Sequence, residues 1–282
     1  LSRPEKLYTA QNYQKFLATL RRDFPHYLYL CPYRRKEVLS IPKNKIKKVY
    51  ASNECLRQIF QNENKDTLQK EAIELVELLS SESKVPIQDF GIHGSVGLNM
   101  HNEHSDIDLV VYGAQNFTNL ERTVNRLADE EVFTHVFTKK IDQARKHRCR
   151  YNDRRFVYNA VRKTKEIDTK HGRFRYTPIK NVQFVSEVVN DNENMFRPAV
   201  YAIKDYKPFD LASELSDEQI PVIVTSMIGY YRNVARTGDK IRVSGALEKV
   251  DNIETGEMYY HVVVGTGIHG NEYIEPIENL TG

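Results

Sequence analysis

Two aspartates one residue apart, Asp106 and Asp108, lie in an apolar segment that follows a glycine-rich turn. A strand that is buried on one face normally excludes charge, so paired carboxylates are costly there unless a cation or a phosphate makes use of them. Side chains alternate between the faces of a strand, so the two aspartates share one face while Ile107 and Leu109 point to the other. The pattern indicates a metal site on the acidic face.

Upstream of the aspartates, Gly94 and Ser95 are predicted to end one strand and to open a helix. Backbone N–H groups and a serine hydroxyl at such a turn could hold a phosphate. Carboxylate oxygens suit Mg²⁺, which usually takes one or two carboxylates and completes its shell with water and substrate phosphates. We therefore predict that Asp106 and Asp108 bind Mg²⁺ or Mn²⁺ and that Gly94 and Ser95 bind a phosphate group.

Helices and strands on both sides of this motif must position it. Asp66 is a good N-cap for a helix that continues to about Leu79, and Thr118 is predicted to cap a second helix beyond the aspartates. Residues 154 to 163 predict another strand. The motif is therefore expected in a sequence of strand, helix, strand and helix.

The glycine turn and the alternating aspartates together resemble the polymerase β-like nucleotidyltransferase superfamily, whose signature is a Gly-Ser turn followed by Asp-x-Asp in an apolar strand. In this chain the signature is Gly94, Ser95, Asp106 and Asp108. The resemblance covers about residues 86 to 165. The layout, with a β-rich tail, also resembles archaeal proteins that are described only as predicted nucleotidyltransferases.

The resemblance implies a reaction in which an acceptor hydroxyl attacks the α-phosphorus of an NTP and expels pyrophosphate. The superfamily normally takes a third carboxylate from a later strand, but the interior of the strand over 154–163 has none. Asp153, Asp168 and Glu187 are candidates by position, and Asp168 is the first choice. A working site should bring such an acid within about 5 Å of the aspartates. If no acid does so, two-metal chemistry becomes unfavourable and nucleotide binding without transfer should take its place.

Other polar residues near the motif give weaker predictions. His101 and His104 have a spacing compatible with a metal site, but no partner at zinc-site spacing accompanies them, so they are expected to face solvent in a loop. His104 lies close enough to the aspartates to touch a phosphate. The basic cluster from Arg145 to Arg155, with Arg150 at its centre, either binds the triphosphate or is a solvated helix end, and we favour the triphosphate.

The composition describes a globular chain of 282 residues with a net charge of +3. No apolar run approaches the roughly 20 residues of a membrane helix, and the start lacks the pattern of a secretory signal, so a cytoplasmic location is expected. The cysteines Cys31, Cys55 and Cys149 show no C-x-x-C spacing and are predicted to be small buried hydrophobes.

The charge is unevenly distributed along the chain, because the stretch from Arg34 to Lys48 is strongly basic. Tyrosines lie around these charges and could stack on bases. The stretch either holds nucleic acid or is a solvated turn with its tyrosines in the core, and the sequence favours neither. The nucleic-acid hypothesis assigns the contacts to the following residues: Arg34, Arg35, Lys45, Lys47 and Lys48.

The predicted fold class is α+β, with a nucleotidyltransferase-type mixed sheet flanked by helices and a small C-terminal β-barrel of OB-like type. We expect a helical and basic region over 1–85, a nucleotidyltransferase domain over 86–190 and a β-rich domain over 191–282. Two functions remain open. One is metal-dependent transfer of an NMP from an NTP to a hydroxyl, with nucleic acid among the acceptors. The other is nucleotide or RNA binding without catalysis on a degenerate transferase fold.

Overall fold

The computed structural model describes residues 10–266 and 271–277, and the side chains from residue 15 onward. The chain forms two compact units, which are described separately. The central unit is the continuous segment Lys48–Asp168, and the terminal unit combines Leu1–Lys47 with Thr169–Gly282. The predicted division into three domains stays a prediction. Residues 1–9 of the predicted first domain, and residues 267–270 and 278–282 of the predicted last domain, lie outside the described residues.

The described helices and strands are mixed along the chain, as the predicted α+β class requires. The helices are α1 (Ala10–Asp23), α2 (Ser52–Gln61), α3 (Thr67–Ser83), α4 (Gly94–Gly97), α5 (Ala114–Asp129) and α6 (Lys140–Arg145). The strands are β1 (Leu28–Cys31), β2 (Lys36–Leu39), β3 (Phe90–His93), β4 (Ile107–Tyr112), β5 (Thr134–His135), β6 (Arg148–Tyr151), β7 (Arg154–Val161), β8 (Phe174–Glu193), β9 (Ala199–Pro208), β10 (Ile223–Ser226), β11 (Lys240–Asn252), β12 (Met258–Val264) and β13 (Tyr273–Pro276). None of the helices in the part of the chain that the structure describes could cross a membrane.

The central unit is built on a five-stranded sheet with the order β3-β4-β7-β6-β5. β4 and β7 are parallel, and β3 is antiparallel to β4. The apolar face of the sheet carries fully buried side chains such as Leu109 on β4 and Phe156 and Tyr158 on β7. Phe117 of α5 lies against Tyr158, with ring centroids 5.8 Å apart. The core of this unit therefore lies on the face opposite the aspartates.

Helix α3 begins as the sequence predicts. Asp66 is its N-cap, and the carboxylate accepts a hydrogen bond from the backbone N–H of Gln69, while the Gln69 side chain bonds back to the N-cap backbone. This capping box satisfies two backbone donors that the first turn cannot pair internally. Helix α5 differs from the prediction because it begins at Ala114, ahead of Thr118. The Ala114 N–H is paired by Glu166 Oε1 at 3.0 Å, so a distant carboxylate replaces the expected local cap.

The terminal unit contains a six-stranded sheet with the order β12-β10-β9-β8-β11-β13. β8 is a single strand of 20 residues. It stays paired with β11 through a register shift between Leu247 and Glu248, opposite Pro178. β11 and β12 pair antiparallel. In addition, β12 pairs in parallel with β10.

The basic stretch from Arg34 to Lys48 spans the boundary between the two units. In the terminal unit, the Arg34 guanidinium lies 4.7 Å from the ring centroid of Tyr176. In the central unit, Lys48 lies 4.5 Å from the ring centroid of Tyr50, which is 53% exposed. The lysines of this stretch are exposed, apart from the half-buried Lys36. All three cysteines are buried and free, as predicted.

Candidate functional site

The glycine turn and the aspartates meet at the edge of the sheet where β3 ends and β4 begins. His93, the last residue of β3, is paired with Asp108 of β4. The chain then turns at Gly94, whose φ of +64° lies in the left-handed region that favours glycine. A Cβ atom on Gly94 would lie 2.1 Å from Asp108 Oδ2. The absence of a side chain at Gly94 is therefore what lets the Asp108 carboxylate lie against the turn.

The two aspartates share one face of the sheet, as the alternation predicts. Asp106 and Asp108 are partly exposed, whereas Ile107 and Leu109 on the other face are buried. Asp106 Oδ1 lies 3.0 Å from the guanidinium of Arg155 on β7. This ion pair places a cation beside the aspartates on the strand from which the superfamily's third carboxylate would be expected.

The donors on this face suit a hard divalent cation. Asp106 and Asp108 supply carboxylate oxygens, the type of ligand that Mg²⁺ takes together with water and substrate phosphates. A larger carboxylate set is not present: among residues 10–266 and 271–277, no group of three or more His, Cys, Asp or Glu side chains is arranged to hold a metal. The site thus supplies two ligands rather than three.

The three candidate acids lie in different places. Asp153 is in the turn between β6 and β7, with a left-handed φ of +61°. Asp168 is exposed and follows Glu166, whose carboxylate caps α5 just beyond the far end of β4. The assignment of Asp168 as the third acid therefore stays a prediction. Glu187 belongs to the terminal unit, where it pairs with Lys204 at 3.1 Å.

Hydrogen bonds of His101 and Arg154 connect the loop before Asp106 to helix α3. His101 Nε2 lies 2.8 Å from Asp66 Oδ2. Arg154 donates to Glu71 Oε2 at 2.7 Å and to the carbonyl oxygens of Glu103 at 2.6 Å and Ser105 at 3.3 Å. Because Ser105 directly precedes Asp106, these bonds fix the backbone from which the first aspartate extends.

The prediction that both histidines face solvent is wrong for His101. Only 8% of its side chain is exposed, because it packs against the N-cap of α3. Burial by itself raises the pKa of Asp66, but hydrogen bonds from the Gln69 backbone and from His101 hold the pKa below its ordinary value. His104 does face solvent, with 85% of its side chain exposed.

The basic cluster from Arg145 to Arg155 forms mostly a hairpin of β6 and β7, and only Arg145 belongs to a helix end, that of α6. Arg150 is exposed, and its guanidinium donates to the Asp153 carbonyl at 3.1 Å. Arg145 is buried, so the cluster is not a uniformly solvated surface. Between the arginines, burial raises the pKa of the Cys149 thiol to about 12, which excludes it as a nucleophile near neutral pH.

We expect that replacing Arg154 by methionine loosens the loop before Asp106 without removing any ligand. Removing hydrogen bonds that hold a metal ligand in place typically lowers metal affinity about tenfold or more. Mg²⁺-dependent nucleotide binding should therefore weaken by at least that factor. Calorimetry would measure the affinity, and amide exchange over residues 98–105 would report the loop. Arg57→Met, which removes a surface pair with Glu54, is the control. If Arg154→Met lowers the free energy of unfolding but leaves the Mg²⁺-dependent nucleotide affinity unchanged, Arg154 has a structural role only.

The sheet, the glycine turn and the paired aspartates can be compared with known families. Residues 72–174 match the nucleotidyltransferase domain family. This confirms the resemblance based on Gly94, Ser95, Asp106 and Asp108, and it supports a general nucleotidyltransferase function. The nucleotidyltransferase domain so defined begins within α3 and reaches the first residue of β8.

A curated relative extends the similarity beyond the nucleotidyltransferase domain. An uncharacterized protein of the archaeon Methanocaldococcus jannaschii is 27% identical over 278 residues, which cover 91% of this chain and 78% of that protein. No solved structure matches. The wider resemblance to archaeal proteins is therefore also confirmed. The name of the relative states no activity.

Sequence reasoning missed Arg155 and Arg154 as neighbours of Asp106. Both were visible only as members of a basic cluster. Their place in the nucleotidyltransferase domain follows from the parallel pairing that sets Ile107 beside Phe156. Two adjacent arginines that open a strand next to the aspartate strand are the signal that could have found them.

Proposed function

We propose that the nucleotidyltransferase domain binds an NTP as its Mg²⁺ complex at the turn and the two aspartates. The observation that carries the proposal is the contact of the Asp108 carboxylate with the Gly94 turn, since it places a metal ligand beside the backbone that would hold phosphate. Asp106 and Asp108 hold the metal, and Gly94 and Ser95 hold the phosphate. His104, exposed in the loop before Asp106, is available to contact a phosphate oxygen.

The reaction we propose is transfer of the NMP from this NTP to a hydroxyl acceptor, with nucleic acid as one acceptor class. The hydroxyl gives up its proton to water, its oxygen forms a bond to the α-phosphorus, and the bond to the pyrophosphate breaks on the opposite side so that pyrophosphate leaves. When bound, the metal neutralises charge on the phosphates. The protein contributes position, because the turn and the aspartates orient the triphosphate for in-line attack. The match of residues 72–174 supports this function.

A second function, nucleotide binding without transfer, is favoured by Arg155. Its guanidinium pairs with Asp106 on the strand that would be expected to carry the third acid. Among the described residues, no third acid joins the two aspartates in a metal-holding group, which favours this alternative over two-metal chemistry. The family match and the incomplete acid set therefore support different functions of one nucleotide site.

A label-transfer experiment separates the two functions. The protein is incubated with each α-labelled NTP, Mg²⁺ or Mn²⁺, and a panel of oligonucleotide, protein and small hydroxyl acceptors. Transfer of the label that is absent in Asp106→Asn would support the transferase. Saturable metal-dependent NTP binding without transfer to any acceptor would support the binding protein. Absence of both binding and transfer would contradict the nucleotide site itself.

We also propose that the exposed stretch from Arg34 to Lys48 binds nucleic acid. Its exposed lysines, among them Lys45 and Lys47, support this, because nucleic-acid phosphates would contact cations there. Replacing Lys45, Lys47 and Lys48 together by glutamine should reduce the salt dependence of oligonucleotide binding by about two units in the log–log slope for a single strand. A slope that does not change would assign binding to another surface.

Finally, we propose that β8 to β12 close into the small OB-like barrel that the sequence predicts. The pairing of β12 with both β10 and β11 supports closure, since β10, β9, β8 and β11 are joined in that order. The three free, buried cysteines support the cytoplasmic location proposed from composition.

A further inference from the structure

Arginines line the open face of the central sheet next to the aspartates. Arg155 of β7 lies beside Asp106, and its direct partner across β6 is Arg150. In the neighbouring row, Asp108 is paired with Val157, which is paired with Arg148. Cross-strand partners share a face of the sheet, so the arginines and the aspartates face the same side.

The pair of Arg150 and Arg155 is unfavourable for folding alone, because like charges directly opposite each other on neighbouring strands repel. Arg148 is partly neutralised by Asp142, at 4.0 Å. Arg150 is different. It is exposed, and within the described residues it forms no ion pair with a carboxylate and bonds only to the Asp153 carbonyl. An anion between Arg150 and Arg155 would remove the repulsion and use guanidinium groups that suit phosphate.

The strand order separates this anion from the triphosphate. Gly94 follows β3, which lies on one side of β4, whereas β7 and β6 lie on the other side. Strands are about 4.8 Å apart, so Arg150 lies roughly 10 Å from the strand of the aspartates, in the direction away from the turn. In-line transfer requires the attacking hydroxyl and the departing pyrophosphate on opposite sides of the α-phosphorus. The arginines therefore lie where the acceptor, not the pyrophosphate, would bind.

We infer that Arg150 and Arg155 bind a phosphate group of the acceptor, which makes the acceptor a phosphate ester with a free hydroxyl close to that phosphate. The end of a nucleic-acid strand and a nucleoside monophosphate both have this chemistry. The inference rests on the proposed function, since it takes the nucleotide site as given. It differs from the sequence-based prediction, in which Arg150 binds the triphosphate.

The experiment measures acceptor binding in the absence of NTP, with a fluorescent single-stranded RNA, the same DNA sequence and a nucleoside 5′-monophosphate as separate probes. Arg150→Gln should weaken binding of the phosphate-bearing probe about tenfold, and for a single strand should reduce the salt slope by about 0.7. Arg150→Lys should restore part of the affinity through its charge. Arg122→Gln, which removes an equally exposed arginine from α5 on the helical side of the sheet, should change nothing.

Binding of Mg²⁺ and NTP is then measured on the same variants. A loss of NTP affinity in Arg150→Gln with unchanged acceptor binding would overturn the inference and return Arg150 to the triphosphate. Unchanged binding of every probe would overturn it as well. If the wild-type protein binds no NTP but binds the oligonucleotide through Arg150, the proposed function fails while the anion site stands. The probe that binds the wild-type protein most tightly identifies the acceptor.

Discussion

Replacing Asp106 and Asp108 together by asparagine is expected to eliminate the Mg²⁺-dependent part of NTP binding. We propose the two carboxylates as the oxygen ligands of the metal, and no third acid of the described residues accompanies them in a metal-holding group. Asparagine keeps the size of each side chain but removes the negative charge that Mg²⁺ requires. Calorimetry with and without Mg²⁺ should give equal NTP affinities for the double variant and affinities that differ about 100-fold for the wild type.

Asp153→Asn is the matched control for this double variant. Asp153 lies in the turn between β6 and β7 with a left-handed φ of +61°, a conformation that asparagine also tolerates, so the fold should not change. Its NTP affinity should equal that of the wild type. If the double variant keeps a Mg²⁺-dependent affinity, or if Asp153→Asn loses it, the assignment of the metal to Asp106 and Asp108 is wrong.

Gly94→Ala is expected to damage both the fold and the site. The left-handed φ of +64° costs an alanine about 1–2 kcal/mol. The new methyl group would also lie 2.1 Å from Asp108 Oδ2, so the carboxylate must move. This oxygen is the end of a partly exposed side chain, so the shift adds little to the cost in stability but moves the proposed metal ligand. We expect the free energy of unfolding to fall by about 1–2 kcal/mol, and Mg²⁺-dependent NTP binding to be lost in the protein that remains folded.

Gly256→Ala separates backbone strain from steric displacement. Gly256 has a φ of +76°, but an added Cβ would meet no atom within 4 Å. This control should lose only the backbone contribution of about 1–2 kcal/mol and should bind NTP like the wild type. Denaturant unfolding measures the first quantity and calorimetry the second. Normal nucleotide binding in Gly94→Ala would show that the contact between the turn and Asp108 is not required.

The turn, the strand and the shared face of the aspartates could be predicted from the sequence. These are local properties, because alternation along one strand decides which side chains share a face, and the positive φ at position 94 favours glycine. The start of α3 was equally predictable, since Asp66 and Gln69 form the capping box within one turn. The start of α5 was not, because its first N–H is paired by Glu166, 52 residues away.

The residues that surround the aspartates depend on how distant segments of the chain pair. The pairing of β4 with β7 sets Arg155 beside Asp106, and the pairing of β7 with β6 sets Arg150 beside Arg155. His101 reaches Asp66 across 35 residues of sequence. Strand order and register depend on contacts between segments that are distant along the chain, and a slip of one residue would reverse every face. The sequence therefore predicts the two aspartates as ligands, whereas the pairing of the strands determines that Arg155 lies beside Asp106.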